Sequence, residues 1–318
     1  MTRAPLGWLL AGWTLLASPA LADQALPAKI DAFLLDYQKT FSGAILVTED
    51  GGIVFDKAYG FADAEHQVPN RTTTSFHIGA LSAQYTAAAV MMLADKGRLT
   101  LDNTAGQFVP GTPDAAKTIR DLLGGNPKLA ATPAFYVLLG RILEANTAKP
   151  LAEVLDTDFF GPLFMHGSGL DDGTLAGERR MALGYGPGEG TNPVPAADWA
   201  KLAGEGSAYT TTRDELRWVD AFFADGIVSA ATRRRMLDPS AKYPGGYGWN
   251  LIRSYGEPAY GMAGTAPGFA AAVVHVPGRN VTVVVLGNTE SESVVARIGL
   301  GLTALALGRD RAAPASGR

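Results

Sequence analysis

The stretch FHIGALSAQYTAAAVMMLADKGRLTLD, residues 76–102, decides how the rest of the chain is read. From Ala80 to Lys96 it is apolar nearly all round, without the polar face that a surface helix turns toward water. Gly97 stands where a helix C-cap belongs. The pattern predicts a helix buried in the interior, so other elements must cover it on every side. Upstream, Ala44–Thr48 and Ile53–Tyr59 read as strands, joined at Glu49-Asp50-Gly51-Gly52 by a hairpin turn. Before them, Asp31–Lys39 with Ile30, Phe33, Leu34 and Tyr37 reads as an amphipathic helix. Downstream, 118–123, 135–145, 151–155 and 212–223 carry helical patterns.

After Pro244 the period changes. Tyr247–Ile252, Phe269–Val276 and Val281–Leu286 are rich in β-branched and aromatic residues, and Pro277-Gly278-Arg279-Asn280 turns between the last two. A closing helix is expected over 291–307, and 309–318 reads as a polar tail. Strands at both ends and helices between them predict an α/β fold of the α+β type. In it an antiparallel sheet is flanked by the N- and C-terminal helices, and an all-helical lobe is inserted. The boundaries expected are a sheet lobe over about 23–78 and 205–308 and a helical lobe over about 79–204.

Composition narrows the function classes. The chain has 318 residues, 47% hydrophobic and 18% charged, which excludes a disordered or coiled-coil protein. Lys and Arg number 27 against 31 Asp and Glu, a net charge of −4 that leaves no footprint for nucleic acid. With no cysteine there is no disulfide, thiolate metal site or Cys nucleophile. The four histidines, His66, His77, His166 and His275, never stand at i, i+4, so neither a metal nor a cofactor is expected. His166 with Asp171 and Asp172 reads as a solvated polar loop, and His275, alternating with apolar neighbours, as a solvent-facing strand residue. His77 just precedes the buried helix, where it could line a cleft.

At the N-terminus, Arg3 precedes an apolar run over Leu6–Ala17, Ser18-Pro19 breaks it, and Ala20-Leu21-Ala22 offers small residues for cleavage. This is the pattern of a secretory signal peptide over 1–22, with the mature chain starting at Asp23 and exported. The run falls short of the ~20 residues of a membrane span.

The order of segments around the buried helix resembles the penicillin-recognising serine hydrolases: class C β-lactamases, D-alanyl-D-alanine carboxypeptidases and related esterases. The resemblance rests on Phe76–Asp102, on Thr118–Leu123, on Tyr136–Glu144 and on Gly264-Thr265-Ala266-Pro267-Gly268-Phe269. It implies three catalytic motifs. The first is Ser-x-x-Lys opening the buried helix, where spacing of most of one turn lets the Lys activate the Ser; here the positions are Ala80 and Ala83. The second is Tyr-x-Asn, which falls on Ala131-Thr132-Pro133. The third, Lys- or His-x-Gly on the strand beside the site, reads Met262-Ala263-Gly264. Nucleophile, lysine base, tyrosine and strand cation are thus all replaced, and the resemblance implies a pseudoenzyme. Its main-chain oxyanion donors, at Ala80 and at Thr265 after Gly264, need no particular side chain. They leave a site for a small carboxylate or peptide-like ligand, with Met262 on its wall.

Two other readings stay open. Ser82 could serve as a shifted nucleophile, with Tyr85 where the base belongs, although helical geometry turns Ser82 about 200° from Ala80. The fold could also act as an interaction module without a ligand. The sequence names no protein partner.

Overall fold

The computed structural model describes residues 25–124, 133–175, 180–187, 193–195, 197–238 and 246–309. The expected signal peptide, the tail beyond 309 and Ala131 lie outside the described residues.

Six antiparallel strands form the main sheet: β1 (Gly43–Glu49), β2 (Gly52–Tyr59), β8 (Asn250–Ser254), β9 (Glu257–Ala266), β10 (Phe269–Val276) and β11 (Val281–Gly287). Their order is β2-β1-β11-β10-β9-β8, so the N-terminal hairpin joins the C-terminal strands directly, with Ile45 opposite Val285 and Ala271 opposite Leu286. The mixed fold with an antiparallel sheet is therefore the one expected from the chain ends.

Side chains alternate between the faces along each strand. On β1, Ile45 and Val47 enter one core while Ala44 and Leu46 enter the other; on β11, Val283 and Val285 oppose Val284 and Leu286 in the same way. Both faces are covered, which is why β10 and β11 are buried at every position. The first core is closed by α1 (Ala25–Leu34) and α8 (Glu292–Ala306), which contribute Ile30, Ile298 and Leu302. These are the N- and C-terminal helices, placed on one face as the sequence predicts, although the first runs over Ala25–Leu34 and closes in a 3-10 turn at Leu35–Tyr37 instead of spanning 31–39.

The other face carries the central helix. It begins as a 3-10 turn, Gly79–Ser82, and continues as α2 (Ala83–Asp95) with ten buried residues. Around it lie α3 (Ile119–Gly124), α4 (Pro133–Thr147), α5 (Leu151–Leu155), α6 (Thr212–Phe223) and α7 (Ala230–Leu237). A small three-stranded sheet joins β5 (Phe76–His77), β6 (Gly169–Leu170) and β7 (Ala208–Thr210) in the order β5-β7-β6, and fixes the segment leading into the helix. The short hairpin β3 (Phe61–Asp63) and β4 (Val68–Pro69) precedes it. Among the described residues no helix is long and apolar enough to cross a membrane.

One histidine departs from expectation. His275 is 3% exposed rather than solvent-facing, because α6 brings Phe223 against its ring at 4.2 Å. Its Nδ1 pairs with Thr282 Oγ1 at 2.9 Å, and burial pushes its pKa down to about 4.

Candidate functional site

The turn into the central helix lies directly on β9. Gly79 takes a φ of +54°, and a Cβ there would stand 2.1 Å from the Thr265 carbonyl oxygen. A side chain at Gly264 would come within 2.8 Å of the Ala80 Cβ and 3.1 Å of the Ala80 nitrogen. Bare backbone at both positions is what lets the helix start and the strand touch. The three candidates Ala80, Gly264 and Thr265 are therefore brought together in the register read from the sequence.

Met262 stands two residues before Gly264, on the same face of β9, and packs on the core that holds the central helix, whereas Ala263 turns to the opposite core. Two strand residues span about 7 Å, so Met262 flanks the contact rather than making it. Ala83 follows one turn along and is 7% exposed. At this junction, where the resemblance implies a nucleophile and its base, the chain presents methyl groups and main chain.

Ser82 is held elsewhere. It is 2% exposed, and its Oγ accepts a hydrogen bond from the Ala208 N–H at 3.2 Å. This bond ties the start of the helix to β7. Tyr85 is likewise occupied: its hydroxyl donates to Glu215 Oε2 at 2.5 Å. Gln84 Nε2 donates to Glu215 Oε1 at 2.7 Å, and Trp218 Nε1 donates to Gln84 Oε1 at 2.8 Å. Gln84, Tyr85, Glu215 and Trp218 are all fully buried. Burial lifts the Glu215 carboxyl to about 7 in spite of its two donors. Burial and the neighbouring Glu215 hold the Tyr85 hydroxyl far above its usual range, which removes it as a base at neutral pH.

A second polar pair lies just upstream of Ala80. His77 Nε2 meets Asp171 Oδ2 at 3.0 Å, with both side chains buried. Asp171 is thus part of the interior and not of a solvated loop, whereas His166 and Asp172 are exposed. Burial opposes ionisation of Asp171, but hydrogen bonds from His77 and the Gly173 N–H outweigh it and hold the carboxyl below its usual range. The His77 ring stacks on Trp199 with centroids 3.7 Å apart and an interplanar angle of 5°, and Phe269 meets it edge-on at 4.9 Å. His66 sits apart, exposed and paired with Asp63. No group of three metal-ligating side chains exists among the described residues.

The sequence gives no sign of Glu215, nor that Asp171 is buried against His77. Glu215 lies 130 residues from Tyr85 and Asp171 lies 94 from His77, so no local spacing signals either pair.

Comparisons with known proteins agree with this geometry. The chain matches the Beta-lactamase family over residues 30–124 and 132–307. It is 25% identical to Penicillin-binding protein 4* of Bacillus subtilis (strain 168), covering 80% of this chain and 69% of that one. FmtA from Staphylococcus aureus superposes with a TM-score of 0.78 at 18% identity, over 93% of each chain. The octameric penicillin-binding protein homologue from Pyrococcus abyssi superposes with a TM-score of 0.77 at 22% identity, over 89% of this chain and 77% of the other. With the helix start seated on β9 and the match running through both cores, this chain belongs to the Beta-lactamase family, whose relatives are penicillin-binding-protein-like serine hydrolases.

Proposed function

We propose that this chain is a non-catalytic, exported member of its family that holds a small carboxylate or peptide-like ligand in the cleft at Ala80. One observation carries the reading: Gly264 lies against Ala80, the contact that an alignment of the family's motifs with Ala80, Ala83 and Met262 requires, and this supports that alignment. An acyl transfer needs an activated nucleophile and a proton path, and the residues at these positions supply neither. The rescue pair offers none in their place, since Ser82 accepts from the Ala208 N–H and Tyr85 is bound to Glu215. Main-chain N–H groups at Ala80 and Thr265, next to a helix start, still favour an oxygen of a carboxylate or carbonyl. Export rests on the pattern of residues 1–22, and the secreted protein should begin at Asp23.

The test is turnover of a chromogenic cephalosporin and a short-chain nitrophenyl ester by the mature protein. Orientation and oxyanion stabilisation without a nucleophile can leave roughly 10³–10⁴ over water, which is visible only at high protein concentration. The expected result is no turnover above that level, and unchanged rates in Ser82→Ala. Steady turnover that disappears in Ser82→Ala would overturn the reading in favour of a shifted active site. Restoring Ala80→Ser with Ala83→Lys probes the geometry alone: acylation of this double variant by penicillin is the outcome expected of an intact cleft.

A further inference from the structure

A cavity of about 520 Å³ opens between the C-terminal end of α6, helix α7 and the turns that follow β1 and β10. Its size falls in the range of about 300–1,000 Å³ typical of small-molecule sites. His275, on its wall, stands four residues along β10 from Ala271, the partner of Gly264, so this wall lies about 13 Å along the sheet from the Ala80 cleft. Phe223, Tyr260 and His275 make the walls aromatic: the Phe223 ring centroid lies 5.7 Å from that of Tyr260 and 4.2 Å from that of His275. Asp220 and Ala224 also line the cavity and are exposed, so both reach solvent at its mouth.

The charges on this wall do not balance. Arg233 donates through Nη1 to the Phe223 carbonyl at 2.7 Å and pairs with Asp225, so its charge is offset. Burial keeps the His275 ring neutral at pH 7, with a pKa of about 4. Asp220 has no such offset among the described residues: burial pushes its carboxyl up, and neither a hydrogen bond nor an opposite charge acts against that shift. It also stands in the last turn of α6, which holds no basic residue. There the helix dipole presents its negative end, which disfavours a carboxylate and favours a cation. An unpaired carboxylate at the solvent-reached mouth of an aromatic cavity is the counter-charge that a cationic ligand needs.

We propose that this cavity is a second binding site, for a small organic cation whose ammonium pairs with Asp220 at the mouth and whose apolar body packs on the Phe223 and Tyr260 rings. Three probes of similar shape separate the requirements: 2-phenylethylammonium carries the positive charge, 2-phenylethanol is neutral, and 3-phenylpropionate is negative. Titration of the isotope-labelled mature chain, followed by its amide NMR shifts, should give 2-phenylethylammonium an affinity about fivefold above that of 2-phenylethanol, the factor expected of an ion pair at a solvent-reached site. The anion 3-phenylpropionate should bind more weakly than either. Asp220→Asn keeps the side chain's shape and removes its charge; at this exposed position the variant should fold, and it should lose the preference for the ammonium over the alcohol. Ala224→Trp, also exposed, places a ring in the mouth and should weaken 2-phenylethylammonium at least about fivefold with an unchanged unfolding temperature. Equal affinities of the ammonium and the alcohol, tighter binding of the anion, an ammonium preference that survives Asp220→Asn, unaltered binding in Ala224→Trp, or no shifts with any probe at about 10 mM would each overturn the proposal.

Discussion

Two successive turns of the central helix meet their neighbours in opposite ways. The first, at Gly79 and Ala80, touches β9 through main chain and a methyl group, with Gly264 bare against it. The second, at Gln84 and Tyr85, faces α6 through four hydrogen-bonding side chains sealed from water, Glu215 and Trp218 completing the set. In an active acyl-transfer enzyme the titratable groups belong at the accessible turn, where a substrate can reach them. Here a carboxyl with a pKa of about 7 is buried in the interior instead, where it can hold helices together but not act on a substrate. A perturbed titratable group near a family's active site is therefore no proof of chemistry; its access decides.

The contrast can be broken at either turn. The largest effect is expected at the first. Gly79→Val would place a side chain in the left-handed region and 2.1 Å from the Thr265 carbonyl oxygen. Strain and displacement of β9 together should cost more than about 4 kcal/mol, read by chemical denaturation.

At the second turn, Glu215→Gln should change how stability depends on pH. The folded carboxyl keeps its proton up to about 7, while a solvated one releases it near 4.5. A raised carboxyl pKa makes stability fall as pH rises through that window and leaves it level above, by up to about 3 kcal/mol. His275 works in the opposite sense. Its pKa is depressed from 6.5 to about 4, so its contribution is lost as pH falls through that range. The two slopes offset each other in the wild type between about pH 4.5 and 6.5. Glu215→Gln should expose the His275 slope and gain stability above pH 7, with no gain near pH 4. An identical difference between variant and wild type at all pH values would show that Glu215 does not titrate in this window.

Tyr85→Phe leaves Glu215 Oε2 without its donor and should cost about 2 kcal/mol. The smallest effect is expected from Ser82→Ala, which leaves the buried Ala208 N–H without its acceptor; about 1 kcal/mol is expected from thermal denaturation.

Much of this architecture is legible along the chain because it is local. β10 and β11 announce themselves by continuous Val and Ala, and the hairpin of β1 and β2 by its turn. β9 was legible only through the family resemblance. Its sequence EPAYGMAGTA carries Pro258, Gly261 and Gly264 and a single β-branched residue, a poor strand by propensity. Gly264 has to be bare because the helix starts on it, so closeness at the site erases the local signal of the strand that forms it. α7 was missed as well: its sequence AATRRRML has no apolar stripe for periodicity to detect. At the candidate cleft, motif order along the chain pairs Ala80 with Gly264, and the two lie in contact in the fold, with the Thr265 carbonyl beside Gly79. The burial of His275, Asp171 and Glu215 was not legible, because each depends on partners from segments far along the chain.

The central claim is that the cleft has no working nucleophile. The most direct measurement is intact-mass spectrometry of the mature protein after incubation with a labelled penicillin and, separately, an alkyl fluorophosphonate. The fluorophosphonate forms a stable adduct with an activated serine, whereas a penicillin adduct persists only where deacylation is slow, so the fluorophosphonate sample is the one that decides. The account predicts an unchanged mass with each. An adduct in either sample, mapped by peptide digestion to Ser82 or to any other serine of the chain, would contradict it.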